Sequence, residues 1–155
     1  MVDLPDLDSL AGLGERLRNE GKTLVLANGA FDLLHVGHLR YLQGAAEVGD
    51  YLLVAVNSDA SVRQSKGADR PVVPEQERAE LVAGLACVDA VVIFDGERPD
   101  AVIRSFRPHV QAKGTDYQAE NVPEAALMAS IGGTVVIVGD PKDHSTTALV
   151  QRLGR

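Results

Sequence analysis

The stretch Leu24-Val-Leu-Ala-Asn-Gly-Ala-Phe-Asp-Leu-Leu-His-Val-Gly-His-Leu-Arg40 decides how the rest of the chain is arranged. It opens with four apolar residues, which are typical of a short parallel strand that is buried on both faces. Asn28 and Gly29 end that strand, and Gly37 stands where a helix would begin. Because glycine lets backbone N–H groups approach a ligand, and a helix N-terminus attracts anions, the stretch predicts a phosphate site.

A pair of histidines, His35 and His38, follows the predicted turn. Two such histidines in isolation are more often partly buried and bonded to loop carbonyls than bound to a ligand. Here they form a His-x-Gly-His pattern at a helix start, after a buried strand and a glycine turn. Because a motif in its required structural context favours the functional interpretation, we expect the two rings to converge on one anionic group.

The composition is that of an ordinary globular protein. The chain has 155 residues, 45% of them hydrophobic and 24% charged, which predicts a packed core and argues against disorder. The net charge of −7 argues against a nucleic-acid surface, so the expected anionic partner is small. The single cysteine, Cys87, has apolar neighbours and is expected to pack rather than react. Without a signal-peptide pattern or a membrane-length apolar run, a cytoplasmic protein with no membrane partner is expected.

Apolar runs alternate with helical patterns along the chain, at residues 24–27, 51–56, 88–94, 110–114 and 134–139. Strands that alternate with helices form parallel sheets covered on both faces. The sequence therefore predicts an α/β fold with a doubly wound five-stranded parallel sheet. Residues 1–21 are expected to form an N-terminal packing helix and residues 22–155 a catalytic core, within one domain spanning 1–155. The sequence lacks both the glycine fingerprint of dehydrogenases after the first strand and that of P-loop ATPases.

Residues 60–74 show little periodicity and contain two prolines, which predicts one long loop. Long loops in compact domains are often functional, so Arg63, Lys66 and Arg70 are candidates to reach over a phosphate. A solvated basic loop explains any one of these cations equally well.

Hydroxyl groups near the end of the chain are a further candidate for an anion site. Ser145 or Thr146 is expected to cap the last helix and to offer hydroxyl and N–H groups, although an ordinary helix cap is the alternative. Donors of this kind stabilise charge that shifts on phosphate oxygens in a transition state, without a covalent catalyst.

Segments well beyond the central motif follow the pattern of one family, at residues 27–39, 56–59, 66–67, 70–71, 77–79, 85–89, 113–117 and 144–148. The chain resembles the bacterial heptose 1-phosphate adenylyltransferases of the HxGH nucleotidyltransferase superfamily, which have a Rossmann-like fold. The resemblance implies transfer of AMP from ATP to D-glycero-D-manno-heptose 1-phosphate, with Mg²⁺, for lipopolysaccharide or surface-glycan synthesis. It also implies a homodimer. The family's domain is often fused to a sugar kinase, whereas here it is expected to stand alone.

The resemblance further implies roles for individual residues. It assigns catalysis to His35, His38 and Lys66. It assigns nucleotide binding to these three together with Ala30, Phe31, Gly37, Gly114, Asp116, Ser145, Thr146 and Thr147. Contacts to the acceptor substrate are expected from Asn28, Asp32, Asp59, Arg78 and Lys113, and no metal ligand is assigned. The chain departs from the family pattern at Ala30, Thr115 and His144, and the last two departures bear on the sugar or base pocket.

Two other functions remain open at this point. A glycerol-3-phosphate-type cytidylyltransferase, which uses CTP, shares the central motif and a Ser-Thr-Thr ending. Its arginine-bearing lead into that ending is replaced here by Asp140-Pro-Lys-Asp143, which weakens this alternative. A protein of another class, a non-catalytic nucleotide-binding regulator, would keep the fold without turnover. The retained histidines, Lys66 and the Ser-Thr-Thr turn argue against it.

Overall fold

The computed structural model describes residues 4–140 and 145–154. In these residues a parallel sheet has the strand order β3-β2-β1-β4-β5. Its strands are β1 (Leu24–Gly29), β2 (Tyr51–Asn57), β3 (Ala90–Phe94), β4 (Val110–Lys113) and β5 (Thr134–Ile137). The sequence-based prediction of a doubly wound five-stranded parallel sheet is therefore confirmed.

Helices cover both faces of the sheet. They are α1 (Leu10–Asn19), α2 (Val36–Ala46), α3 (Asp59–Lys66), α4 (Glu75–Ala83), α5 (Asp100–Phe106), α6 (Ala125–Ser130) and α7 (Thr146–Leu153), with 3-10 turns at Leu7–Ser9 and Ala119–Asn121. Alternate residues of β1 point to opposite faces, since Leu24 and Leu26 pack with α1 and α5 whereas Val25 and Ala27 pack with α2 and α4. Both faces of the strand are buried, which explains its nearly continuous apolar sequence.

The sheet changes winding direction between β1 and β4. The chain builds β1, β2 and β3 outward to one side, and then crosses to place β4 on the other side of β1. In open parallel sheets, ligands bind in the crevice at the carboxyl ends of the strands at such a reversal. The residues that follow β1 and β4 therefore lie at the expected binding site.

The predicted loop over residues 60–74 is wrong for its first half, because Asp59–Lys66 forms α3. Ser58 caps this helix by accepting a hydrogen bond from the Ser61 N–H, and Asp59 supplies an acid in the first turn. Polar residues fill most of α3, which hid the apolar periodicity of the helix. Only the part from Gly67 to Pro74 is irregular. In the described ranges 4–140 and 145–154, no helix has the length and apolar character needed to cross a membrane.

Within the predicted N-terminal segment, α1 lies close against the C-terminus of α5. Arg18 donates hydrogen bonds to the carbonyl oxygens of Phe106, at 2.8 Å, and Arg107, at 3.2 Å. Gly14 permits this approach, since a Cβ atom there would lie 2.4 Å from the Phe106 carbonyl oxygen. Gly12, on the same helix, has open space around it.

These two glycines provide a matched test of the α1 packing. Gly14→Ala should lower the free energy of unfolding by about 1–3 kcal/mol, because the added methyl group forces the helices apart. Gly12→Ala should instead raise it by about 0.5–1 kcal/mol, because alanine loses less backbone entropy in a helix. Urea unfolding of both variants measures the difference. Equal effects of the two substitutions would contradict the observed packing.

Candidate functional site

The two histidines of the motif organise the start of α2. His35 is the N-cap residue, and its Nδ1 atom accepts a hydrogen bond from the Gly37 N–H at 3.1 Å. His38 reaches back, so that its Nδ1 atom accepts from the His35 N–H at 3.2 Å. Because each Nδ1 atom accepts a backbone N–H, the proton of each neutral ring lies on Nε2. Both rings therefore carry an Nε2–H donor, and their centroids lie 3.9 Å apart.

The turn between β1 and α2 is built around Phe31, which adopts a left-handed backbone conformation with φ of 52°. The Phe31 ring is buried and lies 5.4 Å from the His38 ring and 6.5 Å from the Tyr41 ring, centroid to centroid. Gly29 makes room for it, since a Cβ atom there would lie 3.2 Å from the Phe31 ring. Phe31 therefore supports the histidine pair from behind.

A fully buried arginine, Arg78 of α4, ties together the segments that surround this turn. It donates to the carbonyl oxygens of Ala30 at 2.6 Å, Asn57 at 2.7 Å and Val73 at 2.8 Å. It also forms an ion pair with Asp59 at 2.8 Å. The carboxyl ends of β1 and β2 are thus fixed relative to the start of α4.

Asp32 provides a second internal attachment for the turn. Its buried carboxylate accepts hydrogen bonds from the Val72 and Val73 N–H groups, at 2.8 and 2.9 Å, and from Arg70 Nε at 3.0 Å. Burial alone raises the pKa of Asp32, but these hydrogen bonds and the Arg70 charge together lower it below its usual value. The Asp32 carbonyl oxygen accepts from the Thr146 hydroxyl, which joins the start of α7 to the same turn.

A cavity of about 710 Å³ opens at the carboxyl ends of β1, β4 and β5. Arg40 of α2 and Asp140 form an ion pair at its rim, at 2.9 Å, and Thr115 donates to the Asp140 carbonyl oxygen at 2.7 Å. The structure thus brings together most of the residues that the sequence predicts for ligand binding. The predicted residues that line the cavity are Asn28, His35, Gly37, His38, Lys66, Lys113, Gly114, Asp116, Ser145, Thr146 and Thr147.

The remaining predicted residues lie outside the cavity lining. The sequence predicts nucleotide contacts for Ala30 and Phe31 and substrate contacts for Asp32, Asp59 and Arg78, but none of the five lines the cavity. They hold the turn through the hydrogen bonds and ring contacts described above. Of the three loop cations, only Lys66 lines the cavity, whereas Arg70 pairs with Asp32 and Arg63 lies exposed on α3. His144 falls outside the described residues.

Other cavity residues escaped the sequence analysis. Arg40 and Tyr41 lie one helical turn after Gly37 and His38, so helical spacing alone could have pointed to them. Asn57 and Tyr117 lie in the family-like segments 56–59 and 113–117, although neither was predicted as a site residue. No sequence signal marked Glu97, Arg98 and Glu124, which reach the cavity only through the fold.

Comparison with known proteins identifies the family. The cytidylyltransferase-like family model matches residues 26–152, which contain most of β1, the whole of β2 to β5 and the whole cavity lining described here. The chain belongs to the cytidylyltransferase-like family. The chain is accordingly a nucleotidyltransferase, an enzyme that acts on a nucleotide and a small molecule.

Two curated proteins match nearly the whole length of the chain. The chain is 47% identical over 150 residues to the "Bifunctional protein HldE" of Geotalea uraniireducens. This match covers 97% of this chain and 31% of that protein. It is 47% identical over 152 residues to the protein of the same name from Streptomyces coelicolor. That match covers 98% of this chain and 33% of the other protein. The chain therefore spans about a third of the length of the curated relatives it matches.

Solved structures share the fold. A lipopolysaccharide core biosynthesis protein from Thermoplasma volcanium is 29% identical with a TM-score of 0.66, and the match covers 79% of this chain and all of that chain. A pantoate-beta-alanine ligase from Francisella tularensis has a TM-score of 0.67 at 12% identity, over 95% of this chain and 69% of that chain. The second likeness shows the fold alone.

A substitution at His35 separates helix capping from chemistry. Asparagine is among the best N-cap residues, so His35→Asn should keep the start of α2 while removing the Nε2–H donor. We expect kcat/KM for nucleotidyl transfer to fall by about 10² or more, the scale for one lost preorganised donor. The melting temperature should change little. A stable His35→Asn enzyme with nearly full activity would show that His35 serves only as a cap.

Proposed function

We propose that the chain transfers AMP from ATP to D-glycero-D-manno-heptose 1-phosphate and releases pyrophosphate. The observation that carries the proposal is the convergence of donors from separate elements on one cavity, namely the histidines of α2, Lys66 of α3 and the Ser145 and Thr147 hydroxyls at the start of α7. The segments at residues 27–39 and 113–117, which resemble the heptose adenylyltransferases, border that cavity. The likeness to a lipopolysaccharide core biosynthesis protein is further support.

The proposed reaction is a direct displacement at the α-phosphorus of ATP. A phosphate oxygen of the sugar 1-phosphate forms the new bond to this phosphorus, and the bond to the bridging oxygen of the β-phosphate breaks. The electron pair stays on that oxygen, so pyrophosphate leaves with the added negative charge. Donors held in place before the reaction stabilise such developing charge, and we assign this role to the Nε2–H groups of His35 and His38 and to the Lys66 ammonium. The attacking phosphate is already ionised, so no proton needs to be removed from it.

A magnesium ion fits this proposal without a dedicated protein site. Mg²⁺ keeps several waters and binds nucleotide phosphates with few protein ligands. Within residues 4–140 and 145–154, no three His, Cys, Asp or Glu side chains are grouped to hold a metal ion. We therefore propose that the ion enters with ATP, where it neutralises phosphate charge. Among the carboxylates that line the cavity, that of Asp140 would offer it an oxygen ligand.

Base choice distinguishes the two enzyme hypotheses. Adenine and cytosine present different hydrogen-bonding edges, and a buried site built for one base leaves polar groups unpaired with the other. The segments at residues 113–117 and 138–140 form the cavity wall beside the motif on β1 and α2. The segment at 113–117 resembles the heptose adenylyltransferases more than the cytidylyltransferases, which favours ATP.

Pyrophosphate release measures this choice directly. With heptose 1-phosphate as acceptor, we expect turnover with ATP and at least tenfold lower kcat/KM with CTP, because mismatched polar groups stay unpaired. Glycerol 3-phosphate should be a poor acceptor with either nucleotide. Turnover only with CTP and glycerol 3-phosphate would overturn the assignment in favour of the cytidylyltransferase. The absence of turnover with every pair, together with tight nucleotide binding, would favour the regulatory protein.

The resemblance to the heptose adenylyltransferases also bears on the oligomeric state and the cellular location of the protein. We propose that it acts as a homodimer in the cytoplasm, where ATP and sugar phosphates are available. Sedimentation of the purified chain with and without ATP measures its oligomeric state.

A further inference from the structure

Two sets of side chains with different chemistry line the active-site cavity. One set consists of His35, His38, Lys66 and the hydroxyl groups of Ser145 and Thr147, which suit phosphate oxygens. The other set follows the carboxyl end of β4 and includes the carboxylates of Asp116 and Glu124 and the ammonium of Lys113. Like charges repel, and Lys113 offsets only one of the two carboxylates, so this set disfavours an ionised phosphate. It therefore suits an uncharged part of a substrate.

A buried ion pair belongs to this second set. Lys113 Nζ lies 3.5 Å from Glu124 Oε2, and the two side chains are only 8% and 3% exposed. The ammonium also lies 4.8 Å from the centroid of the Tyr117 ring. Both residues line the cavity, so a bound ligand would meet the pair directly.

The Glu124 carboxylate is incompletely satisfied. Its Oε2 atom is buried and has no hydrogen-bond partner among the described residues. Glu124 is the N-cap residue of α6, yet its side chain makes no capping hydrogen bond. A buried acceptor without a donor costs stability, and helix capping does not explain why this carboxylate is present. Its place in the cavity wall indicates that the missing donor comes from a ligand.

The charges of Glu124 and Asp116 also affect the pKa values of two tyrosine hydroxyl groups, those of Tyr41 and Tyr117. Burial first, and then the charges of Glu124 and Asp116, raise the pKa of Tyr41. Burial and the same two charges raise the pKa of Tyr117 as well. Both phenols are therefore neutral, and Tyr41 donates its proton to the Ala112 carbonyl oxygen at 2.6 Å. The donor that Glu124 lacks is thus not supplied by Tyr41.

A hydroxyl group matches this arrangement better than other uncharged groups. It can donate its proton to the carboxylate while its oxygen accepts from the ammonium, so one group satisfies both members of the pair. An amino group on a base edge would also donate to Glu124. A base, however, gains by stacking on an aromatic face, and the Lys113 ammonium lies over the Tyr117 ring.

We infer that Glu124, together with Lys113, is a specificity-determining site in the cavity wall that binds sugar hydroxyl groups of a substrate. The inference rests on the proposed function, which brings two sugars into the cavity, the ribose of the nucleotide and the acceptor sugar. Either one presents neighbouring hydroxyl groups. The contact adds selectivity for hydroxylated ligands to the phosphate contacts made by the histidines and Lys66.

Glu124→Gln tests the contact, because it removes the charge and keeps the shape of the side chain. Glu120→Gln is the matched control, since Glu120 is an exposed acid in the same segment between β4 and α6 and does not line the cavity. Dissociation constants are measured by calorimetry in two arms. One arm uses ATP, 2′-deoxy-ATP and 3′-deoxy-ATP, and the other uses heptose 1-phosphate and its monodeoxy analogues in the presence of α,β-methylene-ATP.

The expected result is a loss that depends on one hydroxyl group. In one arm, Glu124→Gln should weaken binding of the parent ligand about tenfold or more, the scale of a hydrogen bond to a charged group. Removing one hydroxyl from the ligand should cost the wild type a similar factor and cost Glu124→Gln little more. The arm in which this occurs identifies ribose or acceptor sugar as the source. Glu120→Gln should bind like the wild type.

Several outcomes would overturn the inference. Unchanged dissociation constants for Glu124→Gln in both arms would do so, as would an equal loss for parent and deoxy ligands. A loss that disappears with purine riboside triphosphate, which lacks the amino group, would place a base edge at Glu124. If Glu124→Gln does not fold, the wild type still decides, because equal affinity for parent and deoxy ligands excludes the contact. These are binding results, so absent pyrophosphate release in the wild type would count against the proposed function alone.

Discussion

The active site depends on one buried guanidinium group. Arg78 contacts the carbonyl oxygens that follow β1, β2 and the irregular segment before α4, and its charge is paired with Asp59. Carbonyl groups at strand ends lack ladder partners and must be satisfied in another way when buried. A single side chain with five donors in a planar fork can satisfy several of them at once. Arg78 thereby fixes where the motif turn begins.

The turn between β1 and α2, held in this way, fixes the positions of the two histidines that line the cavity. Asp32 anchors it to the segment before α4 and, through its carbonyl oxygen, to Thr146 at the start of α7. Phe31 packs behind the histidine rings, and the histidines cap α2 with their Nδ1 atoms. Donors that are fixed before the substrate arrives need no reorganisation when charge shifts on the phosphates. The buried polar contacts and the proposed chemistry are therefore parts of one arrangement.

Local sequence patterns predicted much of this fold and about half of its site. The buried strand, the glycine turn and the histidine pair of residues 24–40 are set by neighbouring residues, and the structure has them as expected. The helix at Asp59–Lys66 was missed because it has few apolar residues and its cap is a single serine. Sequence gives the identity of Arg78 but not its burial, so a ligand contact was expected where the structure shows internal hydrogen bonds. Glu124 enters the cavity through tertiary packing, which no local pattern encodes.

Arg78→Met tests most directly whether this arginine acts by holding the site. Our account predicts a loss of about 3 kcal/mol in the free energy of unfolding, measured in urea, because Asp59 and three carbonyl groups lose their partner. Activity should fall with the loss of structure around the turn. Arg63→Met, an exposed cation on α3, is the control and should change stability by less than about 0.5 kcal/mol. An Arg78→Met protein with unchanged stability and abolished activity would contradict the account and make Arg78 a ligand-binding residue.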